Sequence, residues 1–74
     1  MSSDPRMNLP RHTEVTHGKR LARVLSRELR PTGKPGLNRV WYCIEYAVLG
    51  AAGQRYWGVV APKTVPARNL QVNP

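Results

Sequence analysis

The stretch "VWYCIEYAVL", residues 40–49, limits what this chain can fold into more than any other. Val, Trp, Tyr and Ile favour a pleated, half-buried surface. A period of two puts Val40, Tyr42, Ile44, Tyr46 and Val48 on one apolar and aromatic face, and Trp41, Cys43, Glu45, Ala47 and Leu49 on a mixed one. "GAAGQ" then reads as a hairpin loop and "RYWGVVA", residues 55–61, as the return strand, so residues 40–61 are expected to form a β-hairpin. A two-stranded hairpin is not stable alone, so a further strand or a helix must cover its apolar face.

The candidate cover is "GKRLARVLSRELRP", residues 18–31. Strict alternation fails there, because Leu21 and Leu25 would share a strand face with Arg23 and Arg27. On a wheel of about 100° per residue, Lys19, Arg20, Arg23, Arg27 and Arg30 gather on one side. Ala22, Leu21, Leu25 and Leu29 gather on the other. Thr16 is an acceptable N-cap, and Pro31 ends the segment because the residue before a proline avoids the α region. The spacing predicts a basic amphipathic helix over residues 18–30. Residues 31–39, "PTGKPGLNR", are dense in turn formers and read as a loop. Residues 62–74 read as a C-terminal edge segment, with Pro66 arguing for an edge. Residues 1–15 read as a flexible arm holding Arg6 and Arg11, which leaves 16–74 as a single small domain. The expected fold class is α+β: the basic helix packed on a small three-stranded antiparallel sheet. The alternative is an all-β, SH3-like barrel in which residues 18–30 supply the first strand.

A chain of 74 residues buries a small core, and the usual staples are not evident. The lone Cys43 cannot form an internal disulfide, and with His12 and His17 it matches no common zinc spacing. One thiol and no signal-peptide pattern lead to the expectation of a reducing cytoplasm. The net charge is +8, with nine arginines to three lysines, and the pI is near 10.9. Such a field favours polyanions, whether DNA, RNA or an acidic protein face. Between Lys19 and Arg39 lie seven cations and a single acid, Glu28.

Catalytic chemistry is not written in the sequence. The acids Asp4, Glu14, Glu28 and Glu45 fall on different elements, and "GAAG" is not followed by the Lys and Ser or Thr of a phosphate loop. The chain is expected to be a non-enzyme with no cofactor, no metal, no small-molecule substrate and no membrane contact. Cys43 reads as a small buried hydrophobe. Glu45 reads either as the solvent side of the sheet or as a partner for an arginine across the hairpin, Arg55 being the candidate. The expected contact residues are Lys19, Arg20, Arg23, Arg27, Arg30, Lys34 and Arg39, which would grip phosphates or carboxylates. Trp41 and Trp57 are candidate aromatic contacts, able to stack bases or anchor a protein interface.

In size, arginine richness and loose N-terminus the chain resembles small early phage proteins that capture or inhibit host factors, RNA polymerase among them. The resemblance is one of character and assigns no residue roles. It implies a basic regulatory protein that binds and modulates the transcription machinery through an acidic protein surface, with possible nucleic-acid contact. The alternative is a stand-alone DNA- or RNA-binding protein contacting phosphates through the arginine-rich helix.

Overall fold

The computed structural model describes residues 4–31, 33 and 36–72. Its strands are β1 (Glu14–His17), β2 (Arg20–Leu29), β3 (Val40–Tyr46), β4 (Val48–Leu49), β5 (Arg55–Tyr56), β6 (Lys63–Pro66) and β7 (Leu70–Val72). Five of them form one antiparallel sheet in the order β6-β3-β2-β1-β7, while β4 and β5 pair separately. Short 3-10 turns at Pro5–Met7, Gly36–Arg39 and Ala67–Asn69 are the helical elements among the described residues.

The expected helix over 18–30 is therefore corrected to a tight turn followed by the longest strand of the sheet, and the α+β class to antiparallel β. Gly18, at φ +65°, and Lys19 form a two-residue hairpin loop that sets His17 opposite Arg20. Ala22 and Val24 then point into the core, while Leu21, Arg23 and Leu25 lie half-buried on the outer face. The register shifts between Val24 and Ser26, so Val24 faces Ile44 but Ser26 faces Cys43. Leu21, Arg23 and Leu25 thus do share a strand face, and the bulge carries Arg27 off it, to a position opposite the inward Tyr42. Tertiary pairing overrides the local preference: β2 hydrogen-bonds to β1 on one side and β3 on the other, and a helix would leave both without a partner. The all-β alternative also needs correcting, since residues 18–30 supply the second strand and not the first.

The hairpin reading changes as well. β3 does not pair with residues 55–61; its neighbours are β2 and β6. The loop does fall at residues 50–54, closed by Gly50 N–H donating to the Gln54 carbonyl at 2.8 Å, but it joins only the two-residue strands β4 and β5. A side chain at Gly50 would meet the Gln54 carboxamide and the Tyr56 ring, which would have to shift to admit it. The C-terminal segment supplies both edges of the main sheet, β6 and β7, separated by the turn Ala67–Asn69. Pro66 ends β6, as an edge strand permits.

That connection bends the sheet. In a flat sheet, four strand spacings would hold β6 and β7 about 19 Å apart. The four Cα steps from Pro66 to Leu70 reach at most about 14 Å even when extended. The sheet therefore curls until its edges approach. Its concave face buries Val15, Ala22, Val24, Val40, Tyr42, Ile44, Tyr46, Val65, Ala67 and Leu70, and the larger of these contribute roughly 1.5–3 kcal/mol each. These include the face of β3 expected from alternation.

Residues 4–15, expected as a flexible arm, pack onto this core. Leu9 is buried, and the Tyr42 hydroxyl accepts from Leu9 N–H at 2.9 Å and donates to the Arg6 carbonyl at 2.7 Å. A fully buried tyrosine thereby satisfies its hydroxyl and pins the N-terminal segment in place.

Candidate functional site

The outer face of the sheet is built by β1, β2 and β3. There Glu14, Arg23 and Glu45 stand side by side across three strands. Arg23 Nε donates to Glu45 Oε1, and Glu45 is only 7% exposed. A carboxylate removed from water needs such a partner. The segment after β4 folds across this row: Arg55 Nη1 donates to Glu14 Oε1 at 2.6 Å, and the Trp57 ring lies 4.5 Å from the Arg23 guanidinium. Arg55 thus pairs with Glu14 and not with Glu45. Glu45 is neither a solvent-facing residue nor the partner of Arg55. Cys43 is a free, half-buried thiol on the same outer face, opposite Ser26 and Thr64.

The expected contact residues do not form one stripe. Arg20 covers the Tyr46 ring at 4.2 Å, beside a 2.7 Å hydrogen bond between His17 Nδ1 and the Tyr46 hydroxyl. Arg23 is engaged by Glu45 and Trp57. Arg27 Nε donates to the Met7 carbonyl at 2.8 Å. Arg30 stacks on Trp41 at 4.2 Å and pairs with Glu28 at 3.1 Å. Lys19 and Arg39 are exposed, with no ion-pair or ring partner among the described residues. Lys34 lies outside the described residues. Both tryptophans serve as platforms for arginines of their own chain, and the Trp41 indole N–H is buried without a hydrogen-bond partner among the described residues.

The charge ledger is more informative than the stripe. Each of the four acids is bound to an arginine: Asp4 to Arg6, Glu14 to Arg55, Glu28 to Arg30 and Glu45 to Arg23. The net +8 therefore resides on Arg11, Lys19, Arg20, Arg27, Lys34, Arg39, Lys63 and Arg68. Arg20 is held by an aromatic ring and Arg27 by a carbonyl. Arg11, Lys19, Arg39, Lys63 and Arg68 are exposed with no polar partner among the described residues. Lys63 and Arg68 escape a reading by periodicity, because they sit singly at the start of β6 and in a 3-10 turn. The only signal available was their excess over the acids.

Asp4 and Arg6 form the tightest local pair. Hydrogen bonds from the Arg6 side chain and then its backbone N–H lower the Asp4 carboxyl from 3.8 to about 2, and Arg6 is raised in return. Apolar exposure is concentrated elsewhere: Leu49, Tyr56 and Val59 are exposed on or just after the β4–β5 hairpin, and Leu29 at the end of β2. Among the described residues, no three His, Cys, Asp or Glu side chains come together, and no helix is long and apolar enough to cross a membrane. No family model, curated protein or solved structure matches the chain.

Proposed function

We propose that this chain is a non-enzymatic binding protein of the cytoplasm that holds a nucleic-acid backbone and regulates transcription through that contact. The observation carrying this reading is that every acid is neutralised internally while five described cations stand exposed and unpartnered. A polyanion is the partner such a surface lacks. Few Asn or Gln side chains are available to read base edges, so binding follows the backbone and its shape more than a strict sequence code. Fluorescence anisotropy with labelled duplex DNA and single-stranded RNA tests the reading. With five phosphate contacts, log K on duplex falls against log salt with a slope of about −4 to −5. Affinity that is weak at low salt and flat with salt would sink it.

A second reading is favoured by the exposed Leu49, Tyr56 and Val59. Here the chain docks on an acidic protein surface of the transcription machinery, RNA polymerase being the first candidate, and the hairpin supplies the apolar contact such an interface needs. Co-purification with RNA polymerase that is lost on Tyr56→Asp, with nucleic-acid affinity unchanged, would favour it over the first.

A further inference from the structure

The three 3-10 turns are far apart in sequence but pack against one another. Each carries an arginine: Arg6 in Pro5–Met7, Arg39 in Gly36–Arg39 and Arg68 in Ala67–Asn69. Their backbones are tied together and to the end of β2. Arg6 Nη1 donates to the carbonyls of Arg68 at 3.0 Å and Leu70 at 3.2 Å. Arg27 Nε donates to the Met7 carbonyl, and Arg30 N–H donates to the Arg39 carbonyl at 2.8 Å. Five arginines thus meet at one end of the molecule. The acids there, Asp4 and Glu28, are already bound to Arg6 and Arg30.

Resting on the nucleic-acid reading above, we propose that this three-turn end is the face that takes the backbone, with Arg39 and Arg68 as the contacting pair and Arg27 and Arg30 flanking them. Arg39 and Arg68 are exposed, their side chains have no partner among the described residues, and their turns contact each other. Their planar forks match phosphate oxygens in pairs, which a lysine cannot do. The turns are fixed by the hydrogen bonds just described, so little order has to be imposed on binding. Of the other unpartnered cations, Arg11 adjoins His12, whose N–H donates to the Val24 carbonyl, and Lys63 lies opposite Ile44, so both sit beside the middle of the sheet; Lys19 lies two residues past the His17–Leu70 pair and so nearer Arg68. An acidic protein would fit this end less well. Among the described residues Leu29 is the large apolar side chain exposed beside it, whereas Leu49, Tyr56 and Val59 belong to the hairpin or the segment just after it.

The test is anisotropy with a labelled 20-mer, duplex and single-stranded, on the full chain and two charge-matched double variants. Arg39→Glu with Arg68→Glu should weaken binding by about 30-fold or more and flatten the salt slope by about 2. Arg11→Glu with Lys63→Glu should cost about threefold or less. Equal losses in the two would mean that net charge, not this face, does the binding, and would overturn the proposal. Failure of the unsubstituted chain to bind either oligonucleotide would overturn the underlying function instead. Amide shift mapping on the unsubstituted chain needs no variant to fold. Shifts on adding the 20-mer should centre on residues 36–39 and 67–69, and shifts confined to residues 10–13 and 62–64 would overturn the assignment. Polyglutamate displacing the 20-mer at equal charge concentration would assign the face to acidic protein and also overturn it.

Discussion

Arginine does two different jobs at two places in this molecule. On the outer face of β1–β3, Arg23 and Arg55 are matched by Glu45 and Glu14, and Trp57 lies over Arg23. At the three-turn end, Arg39 and Arg68 answer to no acid and no ring among the described residues. The first set holds the β4–β5 segment against the sheet; the second leaves the protein's field open to a partner. Residue type and local charge density do not separate the two sets, because what differs is whether the fold brings a carboxylate within reach.

The largest test of this contrast is Arg23→Glu. It strands the buried Glu45 beside a like charge, with Glu14 on the other side. We expect a loss of about 3 kcal/mol or more, whereas Arg39→Glu should stay within about 0.5 kcal/mol, as exposed substitutions do. Thermal unfolding of the two variants checks this, and equal stability would erase the distinction between the regions. Arg23 cannot serve as a clean probe of binding, despite its place among the expected contact residues.

Tyr42→Phe comes next. It removes the acceptor for Leu9 N–H and the donor to the Arg6 carbonyl inside the core, at a cost of about 1–3 kcal/mol. Limited proteolysis should then cut first within residues 4–13; an unchanged pattern would show that Tyr42 does not anchor that segment. Smaller still is Arg55→Ala, since the pair with Glu14 is about half exposed and is worth about 0–1 kcal/mol. It should loosen the hairpin without unfolding the sheet, seen as faster amide exchange at residues 48–56 alone.

The last prediction concerns pH. The Asp4 carboxyl is depressed in the fold, so its contribution is complete above 3.8 and is lost as pH falls through about 2. Following the Asp4 carboxyl by NMR should give a midpoint near 2, and Arg6→Gln should return it toward 3.8. A midpoint near 3.8 in the unsubstituted chain would show that Arg6 does not hold the turn.

The parts of the fold legible in the sequence were those decided by short-range chemistry. Alternation in residues 40–46 placed Val40, Tyr42, Ile44 and Tyr46 together, and all four are buried; it did not show that Glu45 is buried on the other face, and Val48, expected with the four, is half-buried in β4. The Gly-rich loop at 50–54 and the edge character of Pro66 were readable for the same reason. Residues 18–30 were not. Their leucines and arginines separate well on a helical wheel, yet Leu21, Arg23 and Leu25 share the outer face of a strand. The folded-over segment Arg55–Trp57 covers part of that face, and a bulge breaks the alternation. Of the candidate site, Arg39 was legible as a loop cation, but Arg68 was hidden in a segment read as a plain edge.

By itself the sequence determined the strand character of β3, the positions of two turns and a surplus of eight positive charges, because each depends on neighbouring residues or on simple counting. Only the tertiary structure decided that residues 20–29 are the central strand, that the N-terminal segment packs on Tyr42, and which four arginines are neutralised. Asp4–Arg6 and Glu28–Arg30 are local pairs, but Glu45 lies 22 positions from Arg23, Tyr42 33 and 36 from the residues it pins, and Arg55 41 from Glu14, and no local pattern reports a contact whose other half is that distant.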